Sequence, residues 1–481
     1  MGNPKETEKQ IMVDRSVQQY LFPFLLREDK IESFGNRLLS DGFVFFDLSD
    51  GKQQNMFYGK DQVSHRSLER YFMPNIESIL FPNSPEDEAG IRRFSKKVDK
   101  ECSLQAPCLN TTFILESVDV FVCPFHIGFI NLRITLPEDL TYDDVLYFGD
   151  LFRVMERISE DEELTVVGCG EKKYLKVKDY IFNELVPSIE EYADNQSQFK
   201  ESYFGSLPFF VDERMYVISY INYRGEALSE TDLYRAGKLN GYGPDGERFV
   251  GATNQEYIAK YCEDKVYDRW SDLTYYVMSE YHFSCITRET GKIERKLASQ
   301  MYGEHYYSIF LLLYYKIVLL KLSHDYAKVD VIKDQFSTEL LIVMITEFSS
   351  KYYFPAINST ESGTEISGHL KQVFRLEKIY DDVKDTLKTL YQNQEKLTDK
   401  RVNYLLQILT GYMVISGIFG MNLVIEDWKG QIQWSAMAGY SIFEWFSFFV
   451  IISGIVVTLL LSTFFLKNLL KEYRNRKKKI Y

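Results

Sequence analysis

Two uncharged stretches near the C-terminus constrain this chain of 481 residues more than any other feature. Residues 404–421 and 445–466 are about 18 and about 22 residues long, and at about 1.5 Å per helical residue each can cross a hydrocarbon core of roughly 30 Å. In that solvent every backbone amide must find its partner within the segment, so both are expected to be transmembrane helices. The first carries Gln407, Thr410 and Ser416 together with Gly411 and Gly417. That composition suits a helix lining a pore or packed in a bundle better than one facing lipid. Trp428, Trp434 and Trp445 fall in or beside the connection, where an interfacial aromatic belt belongs.

Seven basic residues lie between Lys467 and Lys479 against a single acid, Glu472. Basic flanks stay in the cytoplasm. The tail 467–481 is therefore expected inside, and with two spans so is the N-terminal body. The expected setting is the cell's inner (plasma) membrane, with both termini cytoplasmic and an external loop at 422–444. The apolar stretch 308–322 competes for a further span. It is only about 15 residues long and is interrupted by Lys316, so it reads as a buried core helix.

The net charge of −13 argues against direct nucleic-acid binding. Six cysteines occur without a CxxC pair, and the six histidines do not join them at zinc-ligand spacing. In the cytoplasm the thiols are expected to be reduced. The N-terminal MGNPKETEKQ leads into no apolar signal core. No grouping of nucleophile, base and orienting residue stands out, so the chain is expected not to be an enzyme.

The segment 1–360 reads as a cytosolic α/β sensing domain. Strand-like runs at 42–48, 118–136 and 215–222 alternate with helical stretches such as 142–158, and turn-rich segments lie at 81–90 and 239–251. Within the second of these, Gly241-Tyr242-Gly243-Pro244-Asp245-Gly246 lacks the Lys-Ser/Thr of a phosphate loop and is expected to be a tight turn. Pro124, His126 and Arg133 sit beside a strand-like run, where a core histidine is expected and a ligand contact is the alternative. The acidic clusters 86–88 and 160–163 read as solvated loop charge, with regulatory cation binding as the alternative.

Residues 361–403 read as a long stalk. Val373, Leu376, Tyr380, Val383, Leu387 and Leu390 recur at three- and four-residue steps, and no Pro or Gly lies between Leu370 and Leu409. The pattern predicts one helix of at least 40 residues that runs from the cytoplasm into the first span.

At the outer end of that span stands Phe419-Gly420-Met421-Asn422. A Gly-Met-Asn tripeptide ending the first of two C-terminal spans, after a long helix and ahead of a basic tail, resembles the CorA family of divalent-cation channels. The resemblance covers about the last 110 residues. It implies a funnel-like homopentamer that carries hydrated Mg²⁺ as permeant or regulatory ion, with Gly420, Met421 and Asn422 as selectivity filter and Asn422 as the group that meets the metal's water shell. Two spans cannot enclose a pore, so conduction requires a ring of subunits. The family's pore face maps onto Gly417, Met413, Thr410, Leu406 and Val402. A straight helix drawn through Asn422 would instead present Ile418, Ile415 and Gly411. The acidic pair Glu426 and Asp427 is retained for external cation capture, whereas the proline that usually follows the tripeptide in the family is absent.

The enlarged N-terminal body has room for a further ligand. It fits a second class that the resemblance reaches, the CorA-like membrane effectors encoded with type III CRISPR systems. These are gated in antiviral defence by a nucleotide messenger such as an adenylated S-adenosylmethionine. A non-conducting membrane tether with a coiled stalk is the third reading.

Overall fold

The computed structural model describes residues 11–157, 164–194, 214–329, 335–422 and 434–450, and then residues 452–454, 456, 459, 460, 463 and 467. For residues 335, 415, 418–422 and 436 it describes the backbone alone. The chain divides into two compact units, Met1–Leu387 and Lys388–Tyr481.

The first unit is an α/β domain built on one sheet, with twelve strands among the described residues. In chain order these are β1 (Met12–Leu25), β2 (Val44–Phe45), β3 (Arg92–Ala106), β4 (Leu109–Cys123), β5 (Ile127–Leu136), β6 (Leu140–Thr141), β7 (Val166–Cys169), β8 (Lys172–Tyr174), β9 (Tyr216–Arg224), β10 (Val266–Ser271), β11 (Thr274–Met278) and β12 (His282–Thr287). The order across the sheet is β10-β11-β12-β9-β1-β5-β4-β3-β7-β8, with β2 on β3 and β6 on β1. Only β9 and β12 pair in parallel.

Burial follows the sequence of each strand. Along β4, residues from Leu109 to Leu115 alternate buried and exposed, whereas from Val118 onward every residue is buried. One face of the hairpin tip is therefore solvated, and its base is covered on both faces. The period of two separates the faces of β5. Ile130, Leu132 and Ile134 join a core with Phe148 and Phe152 of the helix Tyr142–Arg153. On the other face the Phe129 ring lies 5.0 Å from Phe310, which belongs to the helix Glu304–Lys328.

That helix contains the apolar stretch 308–322, and Ile309 to Tyr315 are all 2% exposed or less. The region Gly291–Lys328 is long and apolar enough to cross a membrane, yet 78% of its most apolar window is buried inside the protein. It is a core helix, as its length and Lys316 suggest. Lys316 is half-buried, with its ammonium 5.2 Å from the Phe374 ring.

The elements differ in extent from the sequence reading. The run at 42–48 forms only the two-residue β2, and the helix at 142–158 ends at Arg153. The stalk is not one helix from Leu370. A helix Glu361–Phe374 stops at Arg375, which adopts a left-handed conformation (φ 55°) and returns its N–H to Gln372 and Lys371. A second helix then runs from Leu376 to Asn422, 47 residues and about 70 Å at 1.5 Å per residue. Glycine normally marks such a stop. An arginine gives no sequence warning of it.

Candidate functional site

In the second unit, the distal half of the Leu376–Asn422 helix is apolar and bare. Every residue from Arg401 to Gly411 is exposed; Tyr404 is 64%, Leu406 53%, Ile408 58% and Met413 67% exposed. Consecutive residues lie about 100° apart round a helix, so this exposure covers the whole circumference. Most of that surface is apolar, with Asn403, Gln407 and Thr410 grouped along one face; leaving apolar surface in water costs about 25 cal/mol for each Å², so the apolar sides need an apolar surround.

A second apolar helix starts at Ile442, three residues before the sequence reading places it. A capping box explains the start. The backbone N–H and hydroxyl of Ser441 donate to Glu444 Oε2 at 2.6 and 2.7 Å, and the Glu444 N–H returns to Ser441. The two helices meet where a Cβ placed on Gly454 would lie 3.9 Å from the Tyr412 ring, the close approach that small residues allow.

Hydroxyls within these helices are satisfied by their own backbone. Thr410 donates to Leu406 O at 2.8 Å, Ser447 to Phe443 O at 2.9 Å, and Thr463 to Leu460 O at 2.9 Å. Such bonding leaves no hydroxyl donor stranded in a medium without water.

Of the proposed pore face, Val402, Leu406, Thr410, Met413 and Gly417 are all exposed, but so are the other sides of the helix. Exposure in one chain therefore does not single out that face. The backbone stays helical through Asn422. In a regular helix, position 422 lies about 140° round from position 417, so an undistorted helix does not bring Asn422 onto the stripe that contains Gly417 and Met413. Of the residues expected to form a filter, Gly420, Met421 and Asn422, only the backbone is described, and Glu426, Asp427 and the acidic run 160–163 lie outside the described residues.

At His126 and Arg133 the sequence reading expects a core histidine, with a ligand contact as the alternative. Arg133 is 1% exposed, donates to Phe57 O at 2.8 Å and lies 4.7 and 4.8 Å from the Tyr58 and Tyr302 rings. His126 is half-buried. Beside Arg133, Asp119 accepts from Arg93 Nη2 (2.9 Å), Ser95 Oγ (2.6 Å) and Asn131 Nδ2 (2.9 Å). Burial pushes the Asp119 carboxyl up, but Arg93, Arg133 and these donors outweigh it and hold it below its ordinary value. The network locks the sheet to its helices. Its members are buried, and of those named here only Arg93 borders a cavity, one of about 130 Å³ that Tyr307 also lines.

The 239–251 segment contains a more open arrangement. Ser229 and Asp232 form a capping box that starts the helix Glu230–Lys238, and Leu239 ends it in the left-handed region (φ 56°). Arg235, fully buried on that helix, donates to Phe249 O and Gly241 O, each at 2.8 Å, and pairs with Asp143. Asn240 donates to Val250 O at 2.8 Å, and the Tyr242 hydroxyl to Asp144 Oδ1 at 2.9 Å. The turn that the sequence suggests is thus strapped at both ends, and it roofs a cavity of about 260 Å³. Nothing in its residues taken singly announces a site, because the other walls come from the exit of the Tyr142–Arg153 helix and from the segment around Lys176.

At the acidic loop 86–88, the Glu86 carboxylate accepts from Ser84. Among the described residues no three His, Cys, Asp or Glu side chains are grouped to hold a metal ion. Comparison with protein-family models, with curated proteins and with solved structures finds no match to this chain.

Proposed function

We propose that this chain is one subunit of a CorA-like, homopentameric membrane channel for divalent cations, with Mg²⁺ the expected ion, opened or closed by a ligand of the N-terminal domain. One observation carries the reading. The helix that ends in Gly420-Met421-Asn422 is bare round its whole circumference, largely apolar but with Asn403, Gln407 and Thr410 along one face, and it has a capped apolar partner helix. A lipid surround on one side and sister copies on the other would cover it. The self-satisfied hydroxyls of Thr410, Ser447 and Thr463 support the same setting.

In this reading Asn422 amides from five copies converge at the outer rim and hydrogen-bond the water shell of the ion, and Met413, Leu406 and Val402 close the path below by dewetting. Since an unbroken helix carries position 422 away from the Gly417 side, the filter requires an unwinding at Gly420, which a residue without a Cβ permits. The test is cation flux in proteoliposomes. Asn422→Ala is expected to abolish Mg²⁺ uptake while the oligomer still assembles; uptake equal to that of the unaltered protein would refute the assignment.

The cavity in the N-terminal domain favours a second reading alongside the first. There the gate answers to a nucleotide messenger, as in the CRISPR-associated CorA-like effectors, rather than to the permeant cation.

A further inference from the structure

We propose that Cys102 and Cys169 are a reversible modification site, at which a peroxide converts the two thiols into a disulfide that fastens the β7–β8 hairpin to β3. The inference does not depend on whether the second unit conducts, nor on any ligand of the first.

The fold makes the pair. Cys102 on β3 and Cys169 on β7 are 67 positions apart in the chain, and the antiparallel register sets them directly opposite one another. Opposed residues of such a ladder have Cα atoms about 4.5–5.5 Å apart, inside the roughly 4.4–6.8 Å that a disulfide spans, so the bond can close without backbone movement. The two sulfurs lie 2.8 Å apart, each residue is 3% exposed, and all six cysteines are free thiols. The bond would tie down the end of the sheet, because β7 and β8 are the last strands beyond β3.

The surroundings give each thiol a part. Tyr180 Oη lies 3.2 Å from Cys102 Sγ and 3.6 Å from Cys169 Sγ, so one hydroxyl can donate to a thiolate on either sulfur. Burial pushes the Cys102 thiol up, and the neighbouring Cys169 adds to the rise. Cys102 therefore stays protonated until its partner has been oxidised. Cys169 is the nearer to solvent along the chain, as the last residue of β7 before the exposed Gly170. Burial lowers the Lys100 pKa, but Cys169 and then Glu184 outweigh it and raise it. The Lys100 ammonium also lies 3.5 Å from Glu184, which has closer donors in Lys172 (2.7 Å) and Tyr174 (2.9 Å). It thus stands where the charge of a Cys169 thiolate would fall.

In the reaction the Cys169 thiolate attacks one peroxide oxygen, the O–O bond breaks, and the other oxygen leaves as water with the Cys169 proton. Cys102 then attacks the sulfenic sulfur. The S–O bond breaks, the S–S bond forms, and a second water carries off the Cys102 proton. Two electrons pass from the sulfurs to one peroxide, and a dithiol returns them by exchange.

The test treats the full chain in detergent with limiting hydrogen peroxide, blocks the remaining thiols with N-ethylmaleimide in denaturant, and maps the peptides by mass spectrometry. Thiols that merely pack in the core would react after Cys108, the least buried of the six. A linked Cys102–Cys169 peptide is expected in most chains while Cys108 is still alkylated, and dithiothreitol is expected to restore both thiols. In Cys102→Ser, Cys169 is expected to collect as a sulfenic acid that dimedone traps. Oxidation of Cys108 ahead of the pair, a bond from either residue to another cysteine, or oxidation that dithiothreitol does not reverse would each overturn the assignment. The unaltered chain alone decides the matter, so a variant that fails to fold leaves the test in force.

Discussion

His282 is the residue whose chemistry is most fully set by its surroundings. It is fully buried, with Nδ1 2.9 Å from Ala236 O and Nε2 2.6 Å from Ser219 Oγ. A carbonyl can only accept, so Nδ1 carries the proton, and the Ser219 hydroxyl donates to Nε2. A second proton on Nε2 would require the Ser219 hydroxyl to turn and accept, and would place an unpaired positive charge in the core. Burial pushes the His282 pKa down to about 3, and burial likewise pushes His305 down to about 4. In the unfolded chain both titrate near 6.5. Their contribution to stability is therefore complete above about pH 6.5 and is lost as the pH falls toward 4 and 3. The loss amounts to roughly 3 to 5 kcal/mol for each histidine at the acid limit. The thermal midpoint of the detergent-solubilised protein is expected to fall steeply between pH 6.5 and 4.5, and His282→Gln to flatten that slope; equal slopes would show that another group governs acid unfolding. The sequence offers no sign of this pair, because Ser219 and His282 are 63 residues apart and meet only through the β9–β12 pairing.

At the scale of elements, the sheet depends on close cross-strand fits. Phe24 on β1 faces Gly128 on β5, and a Cβ added at Gly128 would land on the Phe24 ring. Gly128→Ala is expected to destabilise the protein by about 1–3 kcal/mol through overpacking, and the double variant with Phe24→Leu to recover part of it. A denaturant-unfolding cycle with no coupling between the two sites would refute this packing account. The run at 215–222 was legible as a strand because burial on both faces demands continuous apolar sequence; the run at 118–136 was legible as strand but not as two, since the turn Pro124–His126 divides it into the end of β4 and all of β5. β3 and the outer part of β4 were not legible, since alternate residues of β4 from Leu109 to Leu115 face water and β3 from Arg92 to Cys102 is rich in charge. The helix that begins at Leu376 was legible in its period and in its lack of Pro and Gly. Its break from the preceding helix was hidden, because an arginine rather than a glycine takes the left-handed position.

For the molecule as a whole, the boundary between the two compact units falls inside the long helix, at Leu387 and Lys388. Residues 1–387 contain the complete sheet and its buried core, so this fragment is expected to stay in solution without detergent. The full chain is expected to sediment with membranes and to need detergent for extraction. Full-length protein in the soluble fraction would remove the bilayer from the account. Sequence by itself determined the period of the elements, the apolar stretches and the Gly-Met-Asn ending, all of which are local. It also marked the 239–251 segment as a turn. Only the tertiary structure decided what covers each apolar stretch. Residues 308–322 are wrapped by the sheet and its neighbouring helices, whereas the apolar surface from Val402 to Val414 is left bare by its own chain. Hydropathy measures the free energy of leaving water and is blind to whether protein or lipid takes water's place. The cavity is another product of the fold, since its walls come from residues about 90 positions apart in the chain, near Tyr147 and Tyr242.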